Sequence, residues 1–576
     1  MMKKAISIIL ALGIIITASV CGAQAADPDQ LCFAVASDLH YNEPEKELTE
    51  TNSELLDDPI FWYANRRAAM ENESGFIIDE FLRQCAENDE IEYVLLSGDL
   101  ADDGKVNRKQ HEDVAQKLER FEQETGKQIY VINGNHDASL NKGDTSFDDF
   151  MEIYHNFGYD KAIDRLEGTC SYTADLGEKY RLIALDSCSE TKSTEDGMTL
   201  EKINWVRDCA KKAYDENRYP VLMMHHNLLE HLPLQRILSH NFIVRFHNTT
   251  AEIFADAGIR FVLTGHEHCS DAASFTSALG NKITDFATTS LTMFPLAYRV
   301  FRFSDSEINY ELKTIEKIDT DSLTAATDGY TEEQIALMNK SANDYSKLFL
   351  KAGVEYRLKL GMTMEKIGID EGEPFYNLVS TAVGSLCDTL DLPLYGKDGL
   401  QEKAKQYNIN LPDSEYKNGW DLATELVAWH YAGCENFPLD STEVTLFLRI
   451  VNFILRDTLS TVSDDVLFGV VNSLLASSGF TGGISAESTK LASKTFGPVT
   501  AAEYILLGIV TPVIEGFTND DETNDNNGVI EGYGTASASS QLSNSSEQIL
   551  SILRKTLSYL GYFFRNILKF FRFNIV

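Results

Sequence analysis

Ile129-Tyr130-Val131-Ile132-Asn133-Gly134-Asn135-His136-Asp137 is a strand-like apolar run that ends in a glycine turn carrying an amide, an imidazole and a carboxylate. The same construction occurs four more times. Phe33-Ala34-Val35-Ala36 leads to Asp38-Leu39-His40, and Tyr93-Val94-Leu95-Leu96 leads to Gly98-Asp99. Val221-Leu222-Met223-Met224 leads to His225-His226, and Phe261-Val262-Leu263 leads to Gly265-His266-Glu267-His268. In α/β folds functional groups gather beyond the carboxyl ends of the strands, so five such ends can converge on one site. Strands this apolar do not tolerate a buried charge without a partner, and a cation is one partner that serves several charges at once. Carboxylate, amide and imidazole donors without thiolates suit Zn, Fe, Mn or a similar ion and argue against a Cys-rich structural zinc site. The glycines before Asp99, Asn135 and His266 permit tight turns that bring backbone close to such an ion.

Working outward, residues 30–318 alternate short apolar runs, turns and helical stretches, which predicts an α/β arrangement. Beyond about Asp319 the texture changes. Glu332 to Leu350, Thr442 to Leu459, Asp465 to Ser477 and Thr500 to Glu515 show helical periodicity, which predicts a mainly α-helical second domain over 319–516. Of twelve histidines only His430 follows His268, so imidazole chemistry is confined to the first half.

The ordered set Asp38-x-His40, Gly98-Asp99, Gly134-Asn135-His136-Asp137, His225 and Gly265-His266-x-His268 resembles the calcineurin-like metallophosphoesterase superfamily over residues 30–318. With the variant Gly98-Asp99-Leu100-Ala101-Asp102-Asp103-Gly104, it is most similar to bacterial members of the cyclic-nucleotide and glycerophosphodiester phosphodiesterase type. The resemblance implies a four-layer α/β/β/α sandwich and two divalent or trivalent transition-metal ions (Mn, Fe or Zn). By position it implies Asp38, His40 and His268 on one metal, Asn135, His225 and His266 on the other, and Asp99 bridging both. It further implies that His136 touches the substrate phosphate or protonates the leaving oxygen, oriented by Asp137. His225 directly follows its strand, as the family's ligand histidine does, but Asn227 stands where the family usually has a proline, which leaves the choice between His225 and His226 open. His226 and His231 are further candidates for the pocket, with an ordinary surface or helix position as the other reading of His231.

Such ions lower the pKa of a bound water from 15.7 to about 7 and neutralise charge in phosphoryl transfer. The expected function is therefore an exported dinuclear-metal phosphoesterase that hydrolyses phosphodiesters or phosphomonoesters through a metal-bound hydroxide. The alternative from another class is a cell-surface binding protein on the same scaffold without turnover. Its usual signature, lost motif ligands, is absent from the sequence.

Length and charge bound the rest. At 576 residues the chain is long enough for two or more domains, and its 43% hydrophobic and 24% charged content suits a globular protein. Fifty Lys and Arg against 88 Asp and Glu give a net charge of -38. A surface that acidic argues against nucleic-acid partners and requires local positive charge for a small phosphate-ester substrate, which metal ions would supply.

Lys3 and Lys4, the apolar run Ala5 to Val20 and the triplet Ala23-Gln24-Ala25 predict an export signal over 1–25, with a retained anchor as the alternative. The remainder is then expected outside the cell or at its envelope. Eight cysteines follow without a CxxC pair; Cys170 with Cys188 or Cys209 is the nearest pairing, and buried free thiols are the other reading. Residues 517–548 read as a flexible acidic and then Ser-rich linker, in which Asn519 to Asn527 fails the EF-hand spacing. From Ile549 onward there are no acids and five bases, Arg554, Lys555, Arg565, Lys569 and Arg572, opposite an apolar face. This predicts a basic amphipathic helix over 549–576 that lies on a membrane surface or packs back on the protein.

Overall fold

The computed structural model of the protein describes residues 31–42, 68–191, 194–232, 235, 240–304, 307–321, 332–361, 376–434, 440–459 and 525–531. The expected export signal, the helices at 465–477 and 500–515, most of the 517–548 segment and the basic helix at 549–576 lie outside these residues.

The described residues begin with β1 (Leu31–Ala36), α1 (Ser74–Glu87), β2 (Tyr93–Leu96), α2 (Arg108–Thr125), β3 (Gln128–Val131) and α3 (Phe147–Ile153). It continues through β4 (Asp164–Arg165), β5 (Tyr172–Leu176), β6 (Tyr180–Leu185), α4 (Leu200–Asp215), β7 (Tyr219–Met224), α5 (His247–Asp256) and β8 (Phe261–Thr264). Strands β9 (Asp271–Thr276), β10 (Lys282–Ala287), β11 (Ala297–Phe303) and β12 (Glu307–Thr314) follow. The C-terminal part holds helices α6 (Glu332–Lys340), α7 (Ala342–Gly361), α8 (Tyr376–Asp391), α9 (Leu400–Ala404), α10 (Gly419–Tyr431) and α11 (Thr442–Leu459), and then β13 (Asn527–Glu531). The helix expected from Glu332 to Leu350 is divided at Ser341, whose Oγ accepts from the Asp344 amide at 3.0 Å and so caps α7.

The strands form two mixed sheets. One has the order β13-β12-β11-β1-β2-β3, the other β4-β5-β6-β7-β8-β10-β9. Within them β1, β2 and β3 run parallel, as do β6, β7, β8 and β10. Side chains of the second sheet alternate between two apolar clusters. Leu182, Ala184, Val221 and Met223 join Phe33 and Phe301 of the first sheet. Ile183, Leu185, Leu222 and Met224 pack instead with Ile203 and Val206 of α4 and Ala251 and Phe254 of α5.

Aromatic rings close the contact between sheets, with Phe286 and Phe301 centroids 5.2 Å apart and Phe261 and Phe303 5.5 Å apart. On its other side the first sheet meets α1, where Phe81 lies edge-on to Tyr298 at 4.9 Å. Burial on both faces explains why these strands read as continuous apolar runs. It contributes about 1.5–3 kcal/mol for each fully buried large apolar side chain.

Helices α8 to α11 gather around an apolar cluster that includes Leu394, Leu400, Leu422, Leu446, Ile450 and Phe453, whereas Met338 of α6 and Tyr345 and Phe349 of α7 join the core of the two sheets. Helices α7 and α10 are tied together by Lys351, which reaches Asp421 at 2.8 Å and Glu425 at 2.9 Å. One difference from the sequence reading concerns the segment expected to be a linker. Its residues 527–531 form β13, which pairs antiparallel with β12 from Glu307↔Glu531 to Glu311↔Asn527. Val529 and Ile530 supply the short β-prone run that the acidic context obscured. The eight described cysteines are all free thiols. No described helix is long and apolar enough to cross a membrane.

Candidate metal centre

The register Ala36↔Leu96 and Leu96↔Val131 ends the three parallel strands of the first sheet level with one another. Beyond them the Asp38 amide donates to Gly98 O at 3.0 Å, and the His40 amide donates to Asp99 O at 3.0 Å. In the second sheet the Gly265 amide donates to His225 O at 2.9 Å. Bonds between the two sets include His266 N–H donating to Asp38 Oδ2 at 2.8 Å.

Closing the strand ends this tightly strains the backbone. Asp38, His40, Asp99, His266 and His268 all have φ between 41° and 69°, a left-handed conformation uncommon for residues with a Cβ. A Cβ on Gly134 would stand 2.1 Å from Asp99 Oδ1, and one on Gly265 would stand 1.8 Å from Ser37 Oγ. Glycine is required at both places for close approach.

The structure brings the expected donors together in two groups. Asp38, His40 and His268 form one and Asp99, His225 and His266 the other, each with its ligand atoms within 4.8 Å of one another. His268 Nε2 lies 3.2 Å from Asp38 Oδ1 and 3.2 Å from His40 Nε2. His225 Nε2 lies 3.2 Å from Asp99 Oδ2 and 3.1 Å from Asn135 Oδ1, which places Asn135 beside the second group. Asp99 Oδ2 is also 3.8 Å from His40 Nε2, so this carboxylate stands between the groups.

Two observations fit these residues to metal. First, each carboxylate has one oxygen anchored and one left over. Asp38 Oδ2 accepts from Ser37 Oγ at 2.6 Å and from His266 N, and Asp99 Oδ1 accepts from His136 N at 2.7 Å. Asp38 Oδ1 and Asp99 Oδ2, both buried, meet no donor besides imidazole nitrogens, with His268 Nε2 and His225 Nε2 at 3.2 Å. A buried anionic oxygen without a donor is costly unless a cation takes the donor's place. Second, every imidazole turns one nitrogen to the protein and the other inward, the arrangement that selects a ligating tautomer. His225 Nδ1 lies 2.9 Å from Ser97 O, His40 Nδ1 3.3 Å from Asp102 Oδ1, His266 Nε2 3.3 Å from Asn241 O and His268 Nδ1 2.9 Å from Met293 Sδ.

The charges are strongly coupled. Burial would raise Asp99, yet His225 and His136 hold it well below the usual carboxylate range. Burial would lower His225, yet Asp99 and Asp38 hold it up to about 9. His226 is pushed down to about 3 by burial and by His225, and both its nitrogens are engaged, with Ser187 Oγ at 3.0 Å and Thr194 O at 3.2 Å. His225 is therefore the member of the pair turned to the donors, and His226 packs behind it.

His136 lies at the opening, its side chain 26% exposed and its Nε2 4.0 Å from Asp99 Oδ2. The expected orienting contact from Asp137 is not what the structure contains. His136 Nδ1 lies 2.7 Å from Asp102 O, while the Asp137 carboxylate accepts from the Leu100, Ala101 and Gly134 amides at 2.9, 3.1 and 2.7 Å. Asp137 thus ties the Asp99 turn to the Asn135 turn, because its short side chain reaches amides and not the neighbouring ring. His231 also departs from both of its readings. It is buried, with Nδ1 2.6 Å from Asp271 Oδ2 and Nε2 3.1 Å from Asp285 Oδ2, away from the two donor groups.

Two residues were missed by the sequence reading. Asp102 backs both His40 and His136, and nothing in sequence distinguishes it from Asp103 except the alternation of the turn. Lys105 donates its backbone N–H to His136 O at 2.9 Å. Its half-buried ammonium makes no ion pair among the described residues, and burial lowers its pKa while Cys188, Asp99, Asp137 and Asp144 pull the other way. A Lys directly after Gly104 was the available signal.

Residues 32–270 match the family model described as calcineurin-like phosphoesterase. No curated protein matches the chain. Among solved structures, it is similar to a dimetal phosphatase from Danio rerio at 11% identity and TM-score 0.35, covering 49% of this chain and 96% of that one. It is also similar to a purple acid phosphatase from yellow lupin seeds at 10% identity and TM-score 0.32, covering 50% of this chain and 51% of that one. A 5'-nucleotidase from Candida albicans aligns at 15% identity and TM-score 0.26, covering 57% of this chain and 58% of that one.

Proposed function

Residues 32–270 are a calcineurin-like phosphoesterase domain, and from that premise we propose that the protein is a dinuclear-metal hydrolase of small phosphate esters. The observation that carries this reading is the pair of buried carboxylate oxygens, Asp38 Oδ1 and Asp99 Oδ2, that face only the inward-turned imidazoles. Asp38, His40 and His268 would hold one divalent ion, Asn135, His225 and His266 the other, with Asp99 shared. Bound ions of this kind supply charge neutralisation for the phosphate and acidify water at neutral pH.

The chain's own residues do the rest. Strained turns fix the donors before substrate arrives, so little reorganisation is required at the moment of reaction. His136, with Nδ1 held by Asp102 O, keeps Nε2 at the opening, where it can give a proton to the leaving oxygen. Lys105 supplies a half-buried cation that feels the charges of Asp99 and Asp137, which suits a phosphate that an acidic surface would otherwise repel.

We place the protein outside the cell or at its envelope on the strength of the Lys3–Ala25 signal, and we assign residues 549–576 to an anionic membrane surface on the strength of their five bases. The four-layer arrangement and a separate helical domain over 319–516 belong to the same proposal.

The test is turnover of bis-nitrophenyl phosphate and nitrophenyl phosphate by the full chain loaded with Mn2+ or Zn2+. Hydrolysis of either, with kcat reduced about 10²–10⁴-fold in His136→Asn at unchanged metal content, is the expected result. Two bound metal equivalents with neither ester turned over would overturn the hydrolase reading.

A further inference from the structure

Four of the five imidazoles at the site direct their outward nitrogen to oxygen: His225 to Ser97 O, His40 to the Asp102 carboxylate, His136 to Asp102 O and His266 to Asn241 O. His268 differs. Its Nδ1 meets the thioether of Met293 at 2.9 Å. Sulfur in a thioether is a weak acceptor, so it orients a ring far less strictly than a carbonyl or carboxylate does. On its Nδ1 side the His268 ring is therefore held by the packing around Met293.

That packing comes from the C-terminal helices. Met293 is buried in one apolar cluster with Leu350 of α7, Ala428 of α10, and Ala68 and Ala69. The segment that carries Met293 faces both ways. Towards the site, Thr289 Oγ1 donates to His268 O at 2.8 Å and Ser290 Oγ donates to Asp38 O at 2.7 Å. Towards the helices, the side-chain amide Nδ2 of Asn343 in α7 donates to Pro295 O, and Lys347 stands over the Phe294 ring at 5.7 Å. The segment carrying the two ligand histidines is held by the same helices, since the Ser270 amide donates to Tyr431 O, at the end of α10, at 3.1 Å.

We propose that α7 and α10 are a built-in part of the metal centre: by wedging Met293 against His268 they set the affinity of the Asp38–His40–His268 site and leave the other site untouched. Helices that lie outside the matched residues 32–270 would then position a ligand inside them. The inference rests on the metal-centre reading above.

Calorimetric titration of the metal-free full chain with Mn2+ tests it, alongside thermal unfolding of each variant. Leu350→Ala opens space beneath Met293, and Met293→Leu keeps the volume while removing the sulfur. Leu446→Ala, in the separate apolar cluster of the helices, is the control for general destabilisation. The expected result is two sites in the wild type, one of them weakened about 10–100-fold in Leu350→Ala and little changed in Met293→Leu, which keeps the packing against His268. The other site stays at wild-type affinity, and Leu446→Ala lowers the unfolding temperature with both sites unchanged. A wild-type isotherm in the folded Leu350→Ala variant, or a loss in Met293→Leu as large as in Leu350→Ala, would overturn this inference alone. So would equal weakening of both sites, or a loss in Leu446→Ala as large as in Leu350→Ala. A wild-type chain that takes up no Mn2+ would overturn the metal-centre reading and this inference with it.

Discussion

Asp99 Oδ1 accepts a hydrogen bond from the backbone N–H of His136 at 2.7 Å, and this bond turns the other oxygen, Oδ2, towards both groups of donors. The residue at the pocket opening thereby also orients the carboxylate at its centre. Replacing Asp99 by Asn keeps the shape but removes the charge that two ions would share. Metal content should fall from two equivalents to one or none, and turnover should drop by at least about 100-fold, beyond the loss usual for residues that only orient a ligand. Elemental analysis and ester hydrolysis on the same preparation check this; full activity in Asp99→Asn would refute the assigned bridge.

Metal uptake should depend on pH with a defined sign. Burial opposes charge on His225, but Asp99 and Asp38 outweigh it and hold the imidazole up to about 9. Below that pH a metal must displace the proton, so affinity rises with pH by up to about tenfold per unit for one proton released, and levels off above about 9. Titration with Mn2+ in buffers of different ionisation enthalpy counts the proton. A pH-independent affinity would contradict the coupling.

At Gly265 an added Cβ would meet Ser37 Oγ at 1.8 Å and Asp38 Oδ2 at 2.4 Å. Gly265→Ala should therefore cost about 1–3 kcal/mol in urea unfolding, as other overpacked sites do. It should also weaken metal binding, because the strand end carrying His266 and His268 must retreat from Asp38. Stability and affinity equal to wild type would mean that this approach is not tight in solution.

Lys105→Met keeps the length of the stem and removes the cation that interacts with Asp99 and Asp137. A charge-assisted contact to phosphate lost in this way should raise KM roughly tenfold, with metal content and unfolding temperature unchanged. A change in kcat alone would show that Lys105 acts on the chemistry and not on binding.

The buried Asp271–His231–Asp285 cluster predicts a loss of stability towards alkaline pH. Burial alone would discharge His231, but Asp285 and Asp271 raise it to about 10, above its ordinary value of 6.5. A group raised on folding stabilises the protein fully below its unfolded value, and that contribution is lost as pH rises through the folded one. The stabilising contribution should thus decline from about pH 6.5 and vanish above about 10. Urea midpoints of wild type and His231→Asn, compared across that range, should converge as pH rises. A gap that widens instead would reverse the assigned charge.

Much of this site was legible because metal chemistry restricts residue types and the strand-end position restricts where they fall. Asp38, His40, Asp99, Asn135, His225, His266 and His268 each follow an apolar run, and the two sheets bring their ends to one place. The helix bounds Thr442–Leu459 were likewise readable, since one amphipathic period runs through them without a break. The division at Ser341 was less visible, because a serine inside a helical pattern becomes a cap only when its neighbours in space end the preceding helix.

What the sequence determined by itself was the inventory: which side chains can hold metal, and that apolar strands deliver them. What only the tertiary structure decided was the set of partners. Asp137 reaches amides and not His136, His231 is locked between two aspartates, residues 527–531 complete a sheet whose other strands precede them by more than two hundred positions, and Met293 passes the packing of distant helices to His268. The reason is physical. Ligand chemistry is a property of single residues and short spacings, whereas hydrogen-bond partners and packing neighbours are set by contacts between segments far apart in the chain, which local pattern does not encode.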